Sequence, residues 1–203
     1  MISISFSGID GSGKSTQINR LEQDLHLNQD TVVCYHLFSP GKTTMGQLHN
    51  TLIGGMLIRI IRNLAKYGAI GKLINFLSRL VNVLLDSFIT TYKNKKKQVD
   101  VIIYDRYYYD VIACIVYDFP KRKKILFFIA RIIPRPDMIV IFDANAKVVI
   151  DRKNEHTRDS ANSYINIYRE LCSELDVTPI WSSDTQEQVY INIKKKYNLI
   201  AKL

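Results

Sequence analysis

Long apolar runs and cysteines are both scarce in this sequence. The best candidate for a membrane span, residues 125–133 (ILFFIARII), is shorter than the roughly 18 residues that a spanning helix needs, and it contains Arg131. We therefore expect no transmembrane helix. The cysteines, Cys34, Cys114 and Cys172, are odd in number and fit no metal-binding spacing, which indicates reduced thiols that behave as small apolar side chains.

The sequence also lacks internal repeats and linkers rich in Gly, Ser or Pro. Its N-terminus, MISISFSGIDGSGKST, has neither a basic start nor a cleavable apolar core, so we expect no signal peptide. The reduced cysteines favour a cytoplasmic location. The chain has 203 residues, of which 47% are hydrophobic, and this is enough to bury one full core. We predict a single domain over residues 1–203.

Basic residues outnumber acidic ones, and the formal net charge is +9. Such an excess favours anionic partners, which include nucleotides, nucleic acids and acidic membrane surfaces. The basic runs at residues 93–97, 121–124 and 194–196 lack the interleaved aromatic residues of a single-strand binding platform. We interpret these runs as solvated surface and expect no nucleic-acid partner, with peripheral membrane contact as a lesser alternative.

Apolar strand patterns alternate with helical patterns along the chain. The predicted strands are residues 2–7, 31–38, 101–104, 137–142 and 179–181. The predicted helices are residues 14–27, 146–153, 160–175 and 185–197, with a mostly helical stretch at residues 45–92. Fully apolar strands that alternate with helices are typical of an α/β protein whose parallel sheet is covered on both faces. Ligands of such proteins bind beyond the carboxyl ends of the strands.

A phosphate-binding loop follows the first predicted strand. Residues 8–15, GIDGSGKS, fit the pattern G-x-x-x-x-G-K-[ST] between a strand and a helix, which is the context that the motif requires. The glycines let backbone N–H groups point at phosphate oxygens, Lys14 supplies charge for the β- and γ-phosphates, and Ser15 is placed to ligate Mg²⁺. We therefore predict that ATP and Mg²⁺ bind here. The predicted nucleotide-binding residues are Gly8, Gly11, Ser12, Gly13, Lys14, Ser15 and Thr16.

A carboxylate and a guanidinium follow the third predicted strand. Asp105 has the position of the acidic residue that holds Mg²⁺ or its water in P-loop enzymes, so we predict Asp105 and Ser15 as metal ligands. Arg106 suits a phosphate because it donates two parallel hydrogen bonds. The alternative is an Asp–Arg salt bridge that caps the strand. The tyrosines at residues 107–109 come next; one can stack on a base or sugar, while packing at a helix start is the expectation for any single one.

The motifs FSGIDGSGKSTQ and Asp105-Arg106-Tyr107 resemble the thymidylate kinases, whose phosphate loop reads Gly-x-Asp-Gly-x-Gly-Lys-[Ser/Thr]-Thr-Gln. Residues 40–46, PGKTTMG, are similar to the Pro-Gly-Gly-Thr-x-x-Gly segment of that family, and residues 135–143 are similar to its Pro-Asp-strand-Asp element. The resemblance spans nearly the whole chain. It implies a P-loop kinase fold with five parallel strands, a homodimer, ATP and Mg²⁺, and a nucleoside monophosphate as acceptor.

The resemblance also implies roles for individual residues. Asp10 would face the acceptor sugar and phosphate, Arg106 would hold the acceptor phosphate, and Lys42 stands where part of the family has a phosphate-binding arginine. A helical acceptor region at about residues 45–98 and a donor lid at about residues 151–160 are also implied. The implied acceptor-site residues are Asp10, Pro40, Lys42, Arg106 and Tyr107; the implied catalytic residues are Asp10, Lys14, Arg106 and the lid residues Arg152 and Arg158.

Two acceptor-side positions depart from the family pattern. Phe38-Ser39 stands where the family commonly has Arg-Glu, and Ser87 stands where many members have an acceptor-binding arginine. Residues 105–110 and 151–155 look closer to a thymidylate kinase-like branch found beside surface-polysaccharide genes. We therefore carry three hypotheses: a dTMP kinase, a kinase of a sugar, glycan or lipid-linked acceptor, and a non-catalytic nucleotide-binding protein.

Residues 69–89 form a long helical pattern that is apolar except for one narrow stripe. The polar residues of this stripe are Lys72, Asn75, Arg79, Asn82 and Asp86. A helix that is apolar on most of its circumference must be covered on most of its circumference. We expect a homodimer interface here, with burial in the chain's own core and interfacial membrane contact as the alternatives.

Overall fold

The computed structural model describes residues 1–36, 68–152 and 156–201. Its centre is a sheet of five parallel strands in the order β2-β3-β1-β4-β5. The strands are β1 (Ile2–Ser7), β2 (Val32–His36), β3 (Val101–Asp105), β4 (Met138–Asp143) and β5 (Ile180–Trp181). The parallel sheet predicted from the sequence is confirmed.

Helices cover both faces of this sheet. In the described residues they are α1 (Lys14–Leu27), α2 (Gly68–Lys96), α3 (Tyr108–Asp118), α4 (Lys123–Ile132), α5 (Ala146–Arg152), α6 (Arg158–Leu175) and α7 (Gln186–Ile200), with a 3₁₀ turn at Pro120–Arg122. Helices α1 and α7 pack together on one face, and α3 and α6 pack together on the other. The predicted α/β architecture is therefore confirmed.

The alternation of side chains along each strand divides the core into two layers. In β3, Val101 and Ile103 join the cluster under α1 and α7, whereas Ile102 and Tyr104 join the cluster under α3 and α6. Because both faces of the strand are buried, its sequence is a continuous apolar run. Asp105 is the first charged residue after that run, and it lies at the carboxyl edge of the sheet.

A carboxylate at the amino edge of the sheet joins β1 to the start of β4. Asp137 Oδ2 accepts hydrogen bonds from the backbone N–H and from the hydroxyl group of Ser3, each at 2.7 Å. The backbone N–H of Asp137 donates to Ser3 Oγ at 3.0 Å. These contacts favour the register in which Ile4 lies beside Met138.

Two helices, α3 and α4, lie between β3 and β4, where the sequence pattern predicts only a helix start at residues 107–109 and no helix bounds. Residues 125–133, which are too short to span a membrane, lie mostly in α4, a helix at the surface of the protein. Most residues of α3 are buried, so the helix has no polar face. Exposed residues of α4 include Ile125, Phe128 and Ile132, so its outer face is also apolar. Helix α3 therefore shows no polar side, and in α4 the exposed Lys124 and Arg131 lie between a buried and an exposed apolar side, so neither segment has the single apolar face by which a surface helix is recognised.

The long helix α2 ends at Lys96 rather than at residue 92. Residues 45–67 of the predicted helical stretch, and the side chains of its predicted polar stripe, lie outside the described residues. On the described part of α2, Val81, Leu85 and Phe88 share one face and are 51%, 49% and 73% exposed. None of the helices in residues 1–36, 68–152 and 156–201 is both long enough and apolar enough to cross a bilayer.

Candidate active site

The phosphate-binding loop connects β1 to α1 at the carboxyl edge of the sheet. Gly8 has φ +144°, and a Cβ atom there would lie only 3.1 Å from Phe142 Cβ in β4. Gly13 is the N-cap residue of α1 and has φ +93°, a conformation that glycine adopts without strain. The glycines therefore let the chain turn sharply, and the N-terminus of α1 faces the loop with its free N–H groups and positive dipole end.

Lys14 is buried within the loop. Its Nζ donates hydrogen bonds to the carbonyl oxygens of Gly8 at 2.7 Å and Ile9 at 2.9 Å. Burial lowers the pKa of Lys14 to about 8, against the opposing effect of nearby carboxylates, of which Asp110 has the largest. Phosphate oxygens are stronger partners for an ammonium group than neutral carbonyl oxygens are, so Lys14 is poised to bind them.

A cavity of about 550 Å³ opens beside the loop. It is lined by Asp10, Gly11, Gly13, Lys14, Ser15, Thr16, His36, Asp105, Arg106 and Arg152. A volume in this range suits a small-molecule ligand. The fold therefore brings together residues of two separate motifs, the phosphate loop and Asp105-Arg106, on the wall of one cavity.

An ion pair between Asp10 and Arg106 crosses from the phosphate loop to the end of β3. Arg106 Nη2 donates to Asp10 Oδ1, and Arg106 Nη1 lies 3.8 Å from Asp110 Oδ1. Burial opposes the charge of Arg106, but the Asp110 and Asp10 carboxylates outweigh it and raise the pKa of the guanidinium. The side chain remains 22% exposed, so it is held in place yet open to a ligand.

The backbone of Arg106 has an uncommon conformation. Its φ is +70°, in the left-handed region, which costs a residue with a Cβ atom about 1–2 kcal/mol. Its N–H donates to the carbonyl oxygen of Phe6 at 2.9 Å, so the turn after β3 is anchored to β1. Strained conformations of this kind cluster at functional sites, where the surrounding structure determines them.

Asp105 has one carboxylate oxygen engaged and one free. Its Oδ2 lies 2.6 Å from Nδ1 of His36. Its Oδ1 is buried and has no hydrogen-bond partner within the described part of the chain. Ser15 lines the same cavity. A free carboxylate oxygen and a hydroxyl group are oxygen ligands of the kind that Mg²⁺ prefers, so the residues present fit the predicted metal site.

His36 is a cavity residue that the sequence analysis did not single out. The structure places it at the cavity, where its hydrogen bond with Asp105 satisfies one ring nitrogen and its side chain is 44% exposed. The two residues are neighbours because His36 of β2 is in register with Asp105 of β3. Both residues end adjacent parallel strands, whereas the sequence pattern extends the second strand to residue 38, so their contact depends on the register of the folded sheet.

The structure separates the two predicted lid arginines. Arg152 ends α5 and lines the cavity, with Nη1 3.4 Å from the carbonyl oxygen of Gly11. Arg158 begins α6 and is exposed, and it is not among the described residues of the cavity wall. Residues 153–155, between the two arginines, lie outside the described residues. The lid itself stays a prediction.

Part of the predicted acceptor site lies beyond what the structure describes. Pro40 and Lys42 are outside the described residues, as are the two residues before Pro40. Tyr107 is only 6% exposed, and its ring centroid lies 5.3 Å from that of Tyr104 and 4.7 Å from that of Tyr108. Tyr107 therefore packs against other tyrosines, as the sequence analysis expects for any single one of them. A contact between Tyr107 and the acceptor stays a prediction.

A smaller cavity of about 180 Å³ adjoins the loop near α7. It is lined by Ser12, Gly13, Thr16, Gln17, Phe142, Arg152, Ser182, Asp184, Gln186 and Val189. Gly13, Thr16 and Arg152 line both cavities. The phosphate loop is therefore flanked by two compartments, which can hold separate parts of an extended donor and an acceptor.

Asp110 is a buried hub beneath the loop that the sequence analysis did not single out. Its Oδ2 accepts hydrogen bonds from Ser7 Oγ at 2.6 Å and from the N–H of Tyr107 at 3.0 Å. Its Oδ1 accepts from the N–H of Gly8 at 3.2 Å and from the Tyr168 hydroxyl at 2.8 Å. The side chain is 2% exposed. One carboxylate therefore joins the phosphate loop to α3 and α6.

The sequence feature that could have identified Asp110 is its position in the first turn of a helix. Asp110 is the third residue of α3 and accepts from the N-cap backbone of that helix, as acidic residues at this position often do. This feature becomes visible only after α3 is recognised as a helix, and the burial of α3 hides its helical pattern. Its proximity to Gly8 and Tyr168 depends on long-range packing and has no local signature.

Comparison with known families decides the class of this site. The model of the thymidylate kinase family matches residues 6–176, which include the phosphate loop, Asp105-Arg106 and Arg152. The chain belongs to the thymidylate kinase family. A thymidylate kinase of Fervidobacterium nodosum is 27% identical to the chain, over 96% of the chain and 98% of the relative.

Membership of the thymidylate kinase family confirms the resemblance and the P-loop kinase fold. It supports an ATP-dependent kinase of the nucleoside monophosphate kinase type, in agreement with the predicted transferase class. The site geometry is consistent with this class because phosphoryl transfer depends mostly on positioning and on charge neutralisation. Lys14, Arg106 and Arg152 supply positive charge around one cavity.

Proposed function

We propose that the protein transfers the γ-phosphoryl group of ATP to the phosphate of dTMP, giving ADP and dTDP. The observation that carries the proposal is the cavity that Lys14 of the phosphate loop shares with the Asp10–Arg106 ion pair. Lys14 belongs to the donor side, and Arg106 offers a guanidinium to an acceptor phosphate. The similarity to a thymidylate kinase supports dTMP as the acceptor.

The transfer is a displacement at the γ-phosphorus. An oxygen of the acceptor phosphate forms a bond to that atom, and the bond from the γ-phosphorus to the bridging oxygen breaks. The bridging electron pair leaves with ADP. Because the acceptor phosphate is already ionised at neutral pH, no proton has to be removed from it. The protein therefore needs no general base for this acceptor, only groups that position and neutralise the phosphates.

The basic residues of the cavity bind different phosphate groups in this reaction. Lys14 binds the transferring phosphate, and its contacts with the carbonyl groups of Gly8 and Ile9 keep it oriented beforehand. Arg106 binds the acceptor phosphate, with Asp10 holding its guanidinium toward the cavity. Arg152 adds positive charge from the end of α5. Such preorganised charges stabilise a transition state without rearranging during the reaction.

Ser15 and Asp105 are the residues that would hold Mg²⁺. The bound ion would neutralise part of the charge on the donor phosphates. On the protein side, His36 engages Oδ2 of Asp105, and Oδ1 has no hydrogen-bond partner among the described residues. The unpaired Oδ1 atom is the observation that supports Asp105 as a metal ligand.

A second candidate acceptor has a hydroxyl group, as in a sugar, a glycan or a lipid-linked intermediate. The observation that favours it concerns Ser87, which stands where many family members have an acceptor-binding arginine. Ser87 is 6% exposed, and its Oγ donates to the carbonyl oxygen of Leu84 at 3.0 Å, so it offers no charge to an acceptor phosphate. A hydroxyl acceptor would require a general base, for which Asp10 and Asp105 are the candidates.

An acceptor panel tests the proposal. The protein is incubated with ATP, Mg²⁺ and each nucleoside monophosphate in turn, and ADP is measured against a blank without acceptor. We expect the fastest ADP release with dTMP and equal amounts of ADP and dTDP. ADP release with none of the nucleoside monophosphates would contradict the proposal.

The same panel separates the rival functions. Rapid dTMP turnover would exclude a hydroxyl acceptor as the main substrate. A panel that is silent for monophosphates but active with a sugar or lipid-linked alcohol would support the second candidate. Nucleotide binding without product from any acceptor would support the third hypothesis, a non-catalytic nucleotide-binding protein.

A further inference from the structure

The outer face of α4 is apolar, whereas most surface helices present polar residues to solvent. Ile125, Phe128 and Ile132 are 65%, 60% and 63% exposed. Their spacing of three and four residues places them in one stripe along the helix. The buried residues of α4 lie on the opposite side, toward α3 and α6, and are Leu126, Phe127 and Ala130.

Basic residues flank this stripe. Residues 121–131 contain five lysines and arginines and no acidic residue. Two of the five, on the side of α6, form ion pairs with its glutamates at 2.8 Å and 3.9 Å. The other three are exposed and have no ion pair among the described residues; they are Lys121, Arg122 and Lys124. We call the apolar stripe and these three residues the α4 surface.

We propose that the α4 surface binds an anionic membrane. The apolar stripe would lie at the boundary between headgroups and acyl chains, and the basic residues would lie at the lipid phosphates. Amphipathic helices that rest on bilayers combine an apolar face with flanking lysines and arginines in this way. The net charge of +9 adds long-range attraction toward the same anionic surface.

The charge of the α4 surface argues against a second copy of this chain as its occupant. A twofold dimer brings the same patch of both copies together, so Lys121, Arg122 and Lys124 would approach their own counterparts. An anionic bilayer offers opposite charge to these residues and an apolar layer to the stripe. Phosphoryl transfer plays no part in this inference, so either proposal can fail without the other.

Co-sedimentation of the full chain with vesicles tests the proposal. The parent should sediment with phosphatidylcholine vesicles that contain phosphatidylglycerol, much less with pure phosphatidylcholine, and less again as salt is added. Phe128→Ser should lower the partition coefficient about tenfold or more, because it removes an inserted aromatic side chain. Replacing Lys121 and Lys124 by Gln should lower it about fivefold for each charge.

Matched variants control for nonspecific effects. Leu27→Ser removes a side chain that is 82% exposed on α1, and it should sediment like the parent. Lys95→Gln combined with Lys97→Gln removes two exposed charges near the end of α2, and it should bind nearly as the parent does. Because Phe128 is exposed, Phe128→Ser should keep the parent's thermal unfolding temperature and its ATP binding.

Three results would overturn the proposal. The first is a parent that does not bind phosphatidylglycerol vesicles at low salt. The second is equal sedimentation of the parent, Phe128→Ser and the lysine variant. The third is a loss of dimers in light scattering for Phe128→Ser with vesicle binding unchanged, since this would assign the α4 surface to a second copy of the chain.

Discussion

The Asp110 carboxylate accepts four hydrogen bonds beneath the phosphate loop, from Ser7, Gly8, Tyr107 and Tyr168. In Asp110→Ala these donors would be left buried without an acceptor, and the guanidinium of Arg106 would lose a nearby negative charge. We expect the free energy of unfolding to fall by about 2–4 kcal/mol, measured by urea denaturation. We also expect weaker ATP binding, because the N–H of Gly8 is no longer held.

Asp118→Ala is the matched control for this change. Asp118 ends the same helix but is exposed, so its removal should alter the free energy of unfolding by less than about 0.5 kcal/mol. If Asp110→Ala unfolds at the same urea concentration as Asp118→Ala, then Asp110 does not stabilise the loop.

Burial gives Lys14 a pKa of about 8 before nucleotide binds, so about half of its ammonium groups have lost a proton at pH 8. Phosphate oxygens favour the charged form, so ATP binding should take up a proton in this range. The contribution of Lys14 to the association constant, measured by calorimetry without Mg²⁺, should be nearly level below about pH 7, and the constant should fall by up to about tenfold per unit above pH 8. Lys14→Met should remove this slope. Equal slopes in the parent and the variant would show that another group titrates.

Secondary-structure elements can be predicted from the sequence where a pattern of neighbouring residues identifies them. The phosphate loop predicts both β1 and α1 because a loop with this motif binds phosphate when it connects a strand to the start of a helix. The strand at Val101–Asp105 is visible because both of its faces are buried. Helix α3 is hidden because it is buried almost throughout, and α4 is hidden because apolar residues occupy both its buried and its exposed sides. The contacts of Asp110 and His36 depend on strand register and helix packing, so they appear only in the folded chain.

The segment from α5 to α6 carries a prediction about the two arginines of the expected lid. Arg152 lines both cavities beside the phosphate loop, whereas Arg158 is exposed at the start of α6. Arg152→Ala should lower kcat by about 10²-fold, as expected for the loss of one preorganised charge at the transferring phosphate. Arg158→Ala should lower it much less. Steady-state kinetics check both, and a larger loss for Arg158→Ala would reverse the assignment.

For the molecule as a whole, we infer a homodimer formed through α2. Val81, Leu85 and Phe88 lie on one face of this helix and are about half exposed or more in the single chain. Phe88→Asp should convert the dimer to a monomer in size-exclusion chromatography with light scattering, because a charge would be buried at the interface. Leu27→Asp, at an exposed position on α1, should leave the dimer intact. A parent that is monomeric at micromolar concentration would contradict this inference.

The central claim is that the phosphate loop and the Asp10–Arg106 pair together form one phosphotransferase site. The most direct test is transfer of labelled γ-phosphate from ATP to dTMP by the parent, by Lys14→Ala and by Lys147→Ala, an exposed lysine on α5. We predict labelled dTDP from the parent and from Lys147→Ala, and a rate lower by about 10²–10³-fold, or about 3–4 kcal/mol of barrier, for Lys14→Ala. Turnover by Lys14→Ala at the parent's rate would contradict the account.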